Sequence, residues 1–311
     1  MKSQIKNKTL QQNSGQVIII LGPTASGKSE LAVKIARKIG GEIISADSRQ
    51  IYKNMKIGTG LITKKEMRGI KHYCINYISP KKRYTVINFK KCAEKALKDI
   101  LKRGKIPIIC GGTGFYISAL TGSINIPEIK PNWQLRKKLE KMRTEKLFNM
   151  LKKLNPERAQ KIDPKNPRRL IRAIEIAKSS SPPTRRVGET DPTGRFLQIG
   201  IKLPEKELKK RIEKRIKNMV NPPTGRGLIN EVKKLKNPTA DGGLSWKRLY
   251  ELGFEYKYPA MFLQGKISKQ EMTKRMILKN LQYAKRQMAW FKKYQPETKW
   301  IKNYSEIKKL L

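Results

Sequence analysis

The segment QVIIILGPTASGKSELA, residues 16–32, constrains this 311-residue chain more than any other. Its apolar run is long enough for a buried parallel strand. KSELAVKIARKIG (28–40) then has helical periodicity and ends at a Gly-Gly pair. Between them GPTASGKS (22–29) matches G-x-x-x-x-G-K-[ST] in full, with a strand before it and a helix after it. In such a loop the backbone N–H groups and the helix N-terminus point at a bound phosphate. The expected phosphate-binding residues are Gly22, Pro23, Thr24, Ala25, Ser26, Gly27, Lys28 and Ser29. Lys28 neutralises phosphate charge, and the Ser29 hydroxyl suits Mg2+.

The surrounding pattern extends this motif into a fold. EIISAD (42–47) and KIPIIC (105–110) read as further strands, and NFKKCAEKALKDILKR (88–103) as an amphipathic helix capped by Gly104. Alternating strands and helices predict an α/β core with a parallel sheet of the P-loop NTPase type. From about 130 to 178 only helical segments follow, with Pro156 and Pro167 placed to open helices. SSSPPTRRVGETDPTG (179–194) is loop chemistry, and RFLQIGIKL (195–203) returns to strand pattern. The expected layout is a disordered lead over 1–15, a core from 16–121 and 195–311, and an all-helical insertion over 122–194. SKQEMTKRMILKNLQYAKRQMAWFKKY (268–294) reads as one long basic helix with Ser268 as its N-cap.

Composition sets limits. A formal net charge of +47 predicts a polyanionic partner, most simply a nucleic acid. No window approaches the ~18 apolar residues of a membrane span. Cys74, Cys92 and Cys110 have no zinc spacing and are expected as buried or incidental thiols in a reducing cytosol. The solitary His72 has no visible metal partner and is expected to be structural.

A phosphate loop does not name a reaction. The chain lacks the N-K-x-D of a GTPase, and the strand IPIIC ends in GGTG rather than in the acid of an ATPase. EIISAD is the strand that ends in Asp, which sets Asp47 at the sheet edge that faces ligands. Asp47 is therefore a candidate metal carboxylate or general base.

Five segments in order, GPTASGKS, ISADSRQIYKNMKIGTG, GGTGFYISAL, DPKNPRRLIRAIEI and AKRQMAWFK, together resemble the tRNA dimethylallyltransferase (tRNA isopentenyltransferase) family over nearly the whole chain after residue 16. The resemblance implies transfer of a dimethylallyl group from dimethylallyl diphosphate to the exocyclic N6 amine of the adenosine 3′ of the anticodon. It further implies the tRNA anticodon stem-loop as acceptor, Mg2+ as cofactor, and action as a cytoplasmic monomer. Matched residue by residue, Asp47 corresponds to the family's base, Thr113 of GGTGFY to its threonine near the reacting amine, and Arg215 to an arginine that reaches the diphosphate from the far side. The implied tRNA contacts are Asp47, Ser48, Arg49, Gln50, Thr113, Arg136, Arg168, Arg169, Arg172, Lys285, Arg286 and Gln287. The acceptor base must leave its stack to be reached.

Some positions depart from the family pattern. LITKKE follows MKIGTG, Asn76 and Ser79 stand where acids are usual, and Pro222-Pro223 interrupts MVNPPTGRGLINEV. YELGFEYKYPAMF echoes the family only loosely, and Asn280 stands near a usual Thr. These changes bear on the tRNA-side contacts. A P-loop small-molecule kinase using ATP and an adenylate isopentenyltransferase are the competing enzyme readings. A nucleic-acid-binding protein with a vestigial site would explain the charge but not Lys28, Ser29, Asp47 and Thr113 together.

Overall fold

The protein is described from a computed structural model covering residues 16–302, 305 and 306, apart from 125, 128, 130, 180–195, 224, 226 and 238–241. The lead over 1–15 and most of the loop over 179–194 lie outside the described residues. The chain divides into two compact units, Met1–Ile124 with Thr190–Leu311, and Asn125–Glu189.

The first unit begins with β1 (Val17–Leu21), α1 (Lys28–Ile39), β2 (Glu42–Ser45), α2 (Lys64–Met67) and β3 (His72–Tyr73). It continues with α3 (Val86–Lys102), β4 (Pro107–Gly111) and α4 (Gly114–Leu120). The second unit holds α5 (Trp133–Leu139), α6 (Thr144–Leu154), α7 (Pro156–Lys161) and α8 (Pro167–Ala177). The chain then returns to the first unit with β5 (Phe196–Ile201), α9 (Glu205–Val220), α10 (Leu228–Lys236) and α11 (Trp246–Glu251). α12 (Phe254–Leu263), α13 (Lys269–Tyr294) and β6 (Lys299–Ile301) complete it.

The strands form one sheet in the order β3-β2-β4-β1-β5-β6, with every neighbouring pair parallel. Period-two alternation explains its uninterrupted apolar runs, because each face of the sheet is covered. Val17, Ile19, Leu21, Ile44 and Ile109 pack with Phe89, Ala93, Leu97 and Ile100 of α3, and with Tyr116 and Ile117 of α4. The intervening Ile18, Ile20, Ile43 and Ile108 pack with Leu31, Val33 and Ile35 of α1. A third cluster joins Ile51, Tyr52 and Met55 to α9 through α13. Among the described residues no helix is long and apolar enough to cross a membrane.

At their C-terminal ends β2 and β4 approach closely. A Cβ on Gly111 would stand 2.2 Å from the Ala46 carbonyl oxygen, so only glycine fits there. Ala46 N–H donates to Cys110 O at 2.8 Å, and Thr113 N–H donates to Ala46 O at 3.2 Å.

The cysteine expectation is corrected in part. Cys74 and Cys92 are joined in a disulfide with Cα atoms 6.2 Å apart. Cys74 follows edge strand β3, and Cys92 lies on α3, which packs beside that strand, so tertiary placement brings together two residues 18 apart. Cys110 is free and buried, and burial pushes its thiol up to about 11. His72 lies on β3, and its Nδ1 is 2.8 Å from Ile70 O.

The helical unit is built on Leu139, Leu147, Leu151, Leu170, Ile171 and Ile174. Asn155 and Asn166 cap α7 and α8, whose first residues are prolines. Beside this core the Glu175 carboxylate, 2% exposed, accepts from Arg136 Nη2 at 2.6 Å and Nε at 2.9 Å. It also accepts from Asn132 N–H at 2.6 Å and from Arg172 Nη1. Burial works to raise its pKa, but the bonds from Arg136 and Arg172 outweigh burial and hold the carboxyl below its ordinary value. A depressed carboxyl stabilises the fold above its unfolded pKa and loses that contribution as pH falls through its folded pKa. Glu175→Ala is expected to cost about 3–5 kcal/mol, because two guanidinium groups are left facing one another. Denaturant unfolding at pH 7 measures this, and the difference from wild type should shrink under acid conditions.

Candidate active site

The phosphate loop leaves β1 and closes on the first turn of α1, whose N-cap Gly27 has φ 91°. Around it lies a cavity of ≈ 300 Å³. Its walls include Lys28 and Ser29 of the loop, Asp47 and Arg49 after β2, Arg215 of α9 and Glu255 of α12. The sequence signals for loop, base and distant arginine therefore converge on one space at the C-terminal edge of the sheet.

Lys28 is half-buried, and its Nζ donates to Pro23 O at 3.1 Å. Burial lowers its pKa, offset by Cys110 and Asp47 and reinforced by Arg215. An anion in the cavity would supply the missing negative charge. Arg215 Nη1 donates to Thr24 Oγ1 at 2.7 Å, which ties α9 to the loop. Among the described residues the buried Ser26 Oγ has no hydrogen-bond partner.

Asp47 sits at the head of a tight turn. Its Oδ1 accepts from Arg49 N–H at 2.8 Å and Gln50 N–H at 3.4 Å. Among the described residues its Oδ2 has no hydrogen bond and is available to take a proton. Thr113 Oγ1 accepts from Ser48 N–H at 3.0 Å, so Thr113 props the turn that carries Asp47. Gln50 donates from Nε2 to Gly60 O at 3.1 Å and accepts from Ser45 Oγ at 3.2 Å. Its amide is thus engaged within the protein.

The other expected RNA contacts divide into two sets. Arg168, Arg169, Lys285 and Arg286 are exposed. Arg136 and Arg172 instead direct their guanidinium groups to Glu175, because a buried carboxylate there has to be neutralised. Gln287 is placed differently from both sets. It is 5% exposed, accepts from Thr24 N–H at 2.8 Å and donates to Gly112 O at 2.7 Å, so it faces the phosphate loop rather than solvent.

Two acidic residues belong to the site that sequence reasoning did not single out. Glu231 of α10 accepts from the N–H groups of Lys56, Ile57 and Gly58 at 2.8, 2.7 and 3.0 Å, and from Tyr256 Oη at 2.8 Å. It holds the MKIGTG loop in place from more than 170 residues away. Glu255 lines the cavity in the first turn of α12. Burial pushes its carboxyl up to about 7, opposed by its own backbone N–H, Arg215 and Arg49, and supported by Asp47. Both lie in segments that read only as departures from the family pattern.

Comparisons with known proteins identify the family. Residues 50–294 match a protein-family model described as IPP transferase. A tRNA dimethylallyltransferase of Acetivibrio thermocellus is 40% identical over 285 residues, covering 89% of this chain and 88% of that protein. A crystal structure of a Staphylococcus epidermidis tRNA delta(2)-isopentenylpyrophosphate transferase is 38% identical, with 92% of each chain covered and a TM-score of 0.64. A eukaryotic dimethylallyltransferase acting on tRNA has a TM-score of 0.73 at 28% identity, covering 89% of this chain and 69% of that one.

The raised pKa of Glu255 gives a signed expectation. Between the unfolded value of 4.5 and about 7 the folded protein holds a proton that the unfolded chain releases. Glu255 therefore costs stability as pH rises through that window, and the full cost is present above it. Glu255→Gln is expected to stabilise the protein by roughly 1–2 kcal/mol at pH 8, after discounting for solvent screening, and by almost nothing at pH 4. Denaturant unfolding across that range checks both ends.

Proposed function

The chain belongs to the IPP transferase family, and from that premise we propose that it transfers a dimethylallyl group from dimethylallyl diphosphate to the N6 amine of the adenosine 3′-adjacent to the anticodon of tRNA, releasing pyrophosphate. The observation that carries this reading is the convergence of Lys28, Ser29, Arg215 and Asp47 on one cavity.

The donor breaks at carbon, not phosphorus. A bond forms between N6 and the allylic C1 while the C1–O bond breaks, its electron pair leaving with pyrophosphate. Loop N–H groups, Lys28 and Arg215 stabilise that anion as charge develops on it. The adenine amine is a weak nucleophile, because its lone pair is delocalised into the ring. Asp47 accepts the N6 proton as the bond forms, and the hydrogen bonds on its Oδ1 leave Oδ2 for that task. Thr113 fixes the Asp47 turn through Ser48 and thereby positions the base for the amine.

Ser29 would hold Mg2+. Among the described residues no three His, Cys, Asp or Glu side chains come together, whereas a single hydroxyl beside a phosphate site suits an ion that keeps phosphate and water oxygens. When bound, Mg2+ supplies further neutralisation of the diphosphate. A tRNA acceptor is consistent with the cytoplasm. The net charge of +47 and exposed Arg168, Arg169, Lys285 and Arg286 suit contact with an anticodon stem-loop.

The deciding assay incubates the protein with labelled dimethylallyl diphosphate, Mg2+ and either bulk tRNA or AMP. Label is expected in tRNA. Label confined to AMP would identify an adenylate prenyltransferase, and ATP turnover without prenyl transfer would identify a kinase. Asp47→Ala should slow single-turnover transfer by ~10²–10⁴-fold; a nearly normal rate would remove Asp47 from the base role. Binding of tRNA should weaken steeply between 50 and 200 mM salt, as counterion release demands.

A further inference from the structure

Gln287 lies within a run of residues read from the sequence as contacts to RNA, yet its surroundings are those of the donor site. It belongs to the inward face of α13, with Ala284 at 3% and Phe291 at 0% exposure, while Lys285 and Arg286 beside it are exposed. Both ends of its amide meet backbone: Oε1 takes the Thr24 N–H and Nε2 reaches Gly112 O. A Cβ on Gly112 would stand 2.4 Å from Gln287 Nε2, so the strand end is shaped to receive this side chain.

The two backbone groups belong to opposite halves of the reaction. Thr24 is part of the phosphate loop and is also held through its hydroxyl by Arg215. Gly112 precedes Thr113, whose hydroxyl supports the Asp47 turn through Ser48 N–H. One amide therefore spans the donor cradle and the support of the acceptor base. Thr24 N–H, satisfied by Gln287, is not among the loop groups left to meet a phosphate.

We propose that Gln287 is a positioning residue for prenyl transfer, setting the spacing between the phosphate loop and the Gly112–Thr113 segment rather than contacting tRNA. The proposal rests on the transfer reaction assigned above. Misplacement of reacting groups by about 1 Å costs on the order of 10²-fold in rate. Gln287→Met keeps the side-chain length and helix propensity but leaves Thr24 N–H and Gly112 O without partners. Gln287→Glu keeps the acceptor for Thr24 N–H and loses the donor to Gly112 O, which separates the two bonds.

The test measures three quantities for wild type, both Gln287 variants and the core control Phe291→Leu. They are the single-turnover rate with labelled donor, the Kd for an anticodon stem-loop RNA, and the Kd for pyrophosphate with Mg2+. For Gln287→Met the rate is expected to fall ~10²-fold, with pyrophosphate bound roughly tenfold more weakly and RNA affinity within about twofold of wild type. Gln287→Glu should fall between Gln287→Met and wild type in rate, and it carries the test if Gln287→Met does not fold. Phe291→Leu should lower the melting temperature while leaving all three quantities near wild type. A tenfold loss of RNA affinity at an unchanged rate would make Gln287 an RNA contact and overturn the proposal. So would a rate loss no larger than that of Phe291→Leu at matched melting temperature. A wild-type protein that binds pyrophosphate but labels no tRNA would instead defeat the assigned reaction.

Discussion

The site depends on the close approach of two strand ends. With glycine at position 111, β4 can run against the Ala46 carbonyl at the end of β2. Every residue that follows either strand inherits that proximity. Ala46 O takes the Thr113 N–H, Thr113 Oγ1 takes the Ser48 N–H, and the turn between them presents Asp47. Without the glycine the strands would have to part, and a hydroxyl from one would no longer reach the backbone of the other. Catalytic geometry here is set by backbone packing before any charged side chain is placed.

Around that frame the cavity mixes charges that would be costly alone. Lys28 is half-buried with a carbonyl as its hydrogen-bond partner, and Arg215 stands nearby, so the site is short of negative charge until a polyanion arrives. Asp47 and Glu255 face the same space in different ways. Asp47 is held by two N–H groups, while burial pushes the Glu255 carboxyl up to about 7. The helical unit shows another solution, with Glu175 neutralised by two arginines.

Much of this was legible in the sequence because the decisive signals were local. Strand, Gly-rich loop and helix follow one another over residues 16–40, and the alternation that builds the parallel sheet recurs at 42–47 and 105–110. Ser268 and the long basic helix after it form as their pattern implies. Edge strands β3 and β6, with 2 and 3 residues, are too short to carry a period. The roles of Glu231 and Gln287 were not legible, because their backbone partners lie 173 to 263 positions away. The pairing of Cys74 with Cys92 likewise needs a helix laid beside an edge strand. Counting arginines as RNA contacts failed to anticipate Glu175, since a single buried acid redirects two of them.

The turn of α13 that holds Lys285, Arg286 and Gln287 has a consequence for how this protein can change. An α-helix advances ~100° and 1.5 Å per residue. Inserting one residue upstream in this 26-residue helix would bring Arg286 to the place of Gln287 against the phosphate loop, and deleting one would bring Met288 there; either way the amide leaves its partners. Substitutions at the exposed positions are free to tune affinity one at a time. A shift in phase alters both faces together, so the helix can vary in composition but not in length ahead of this turn.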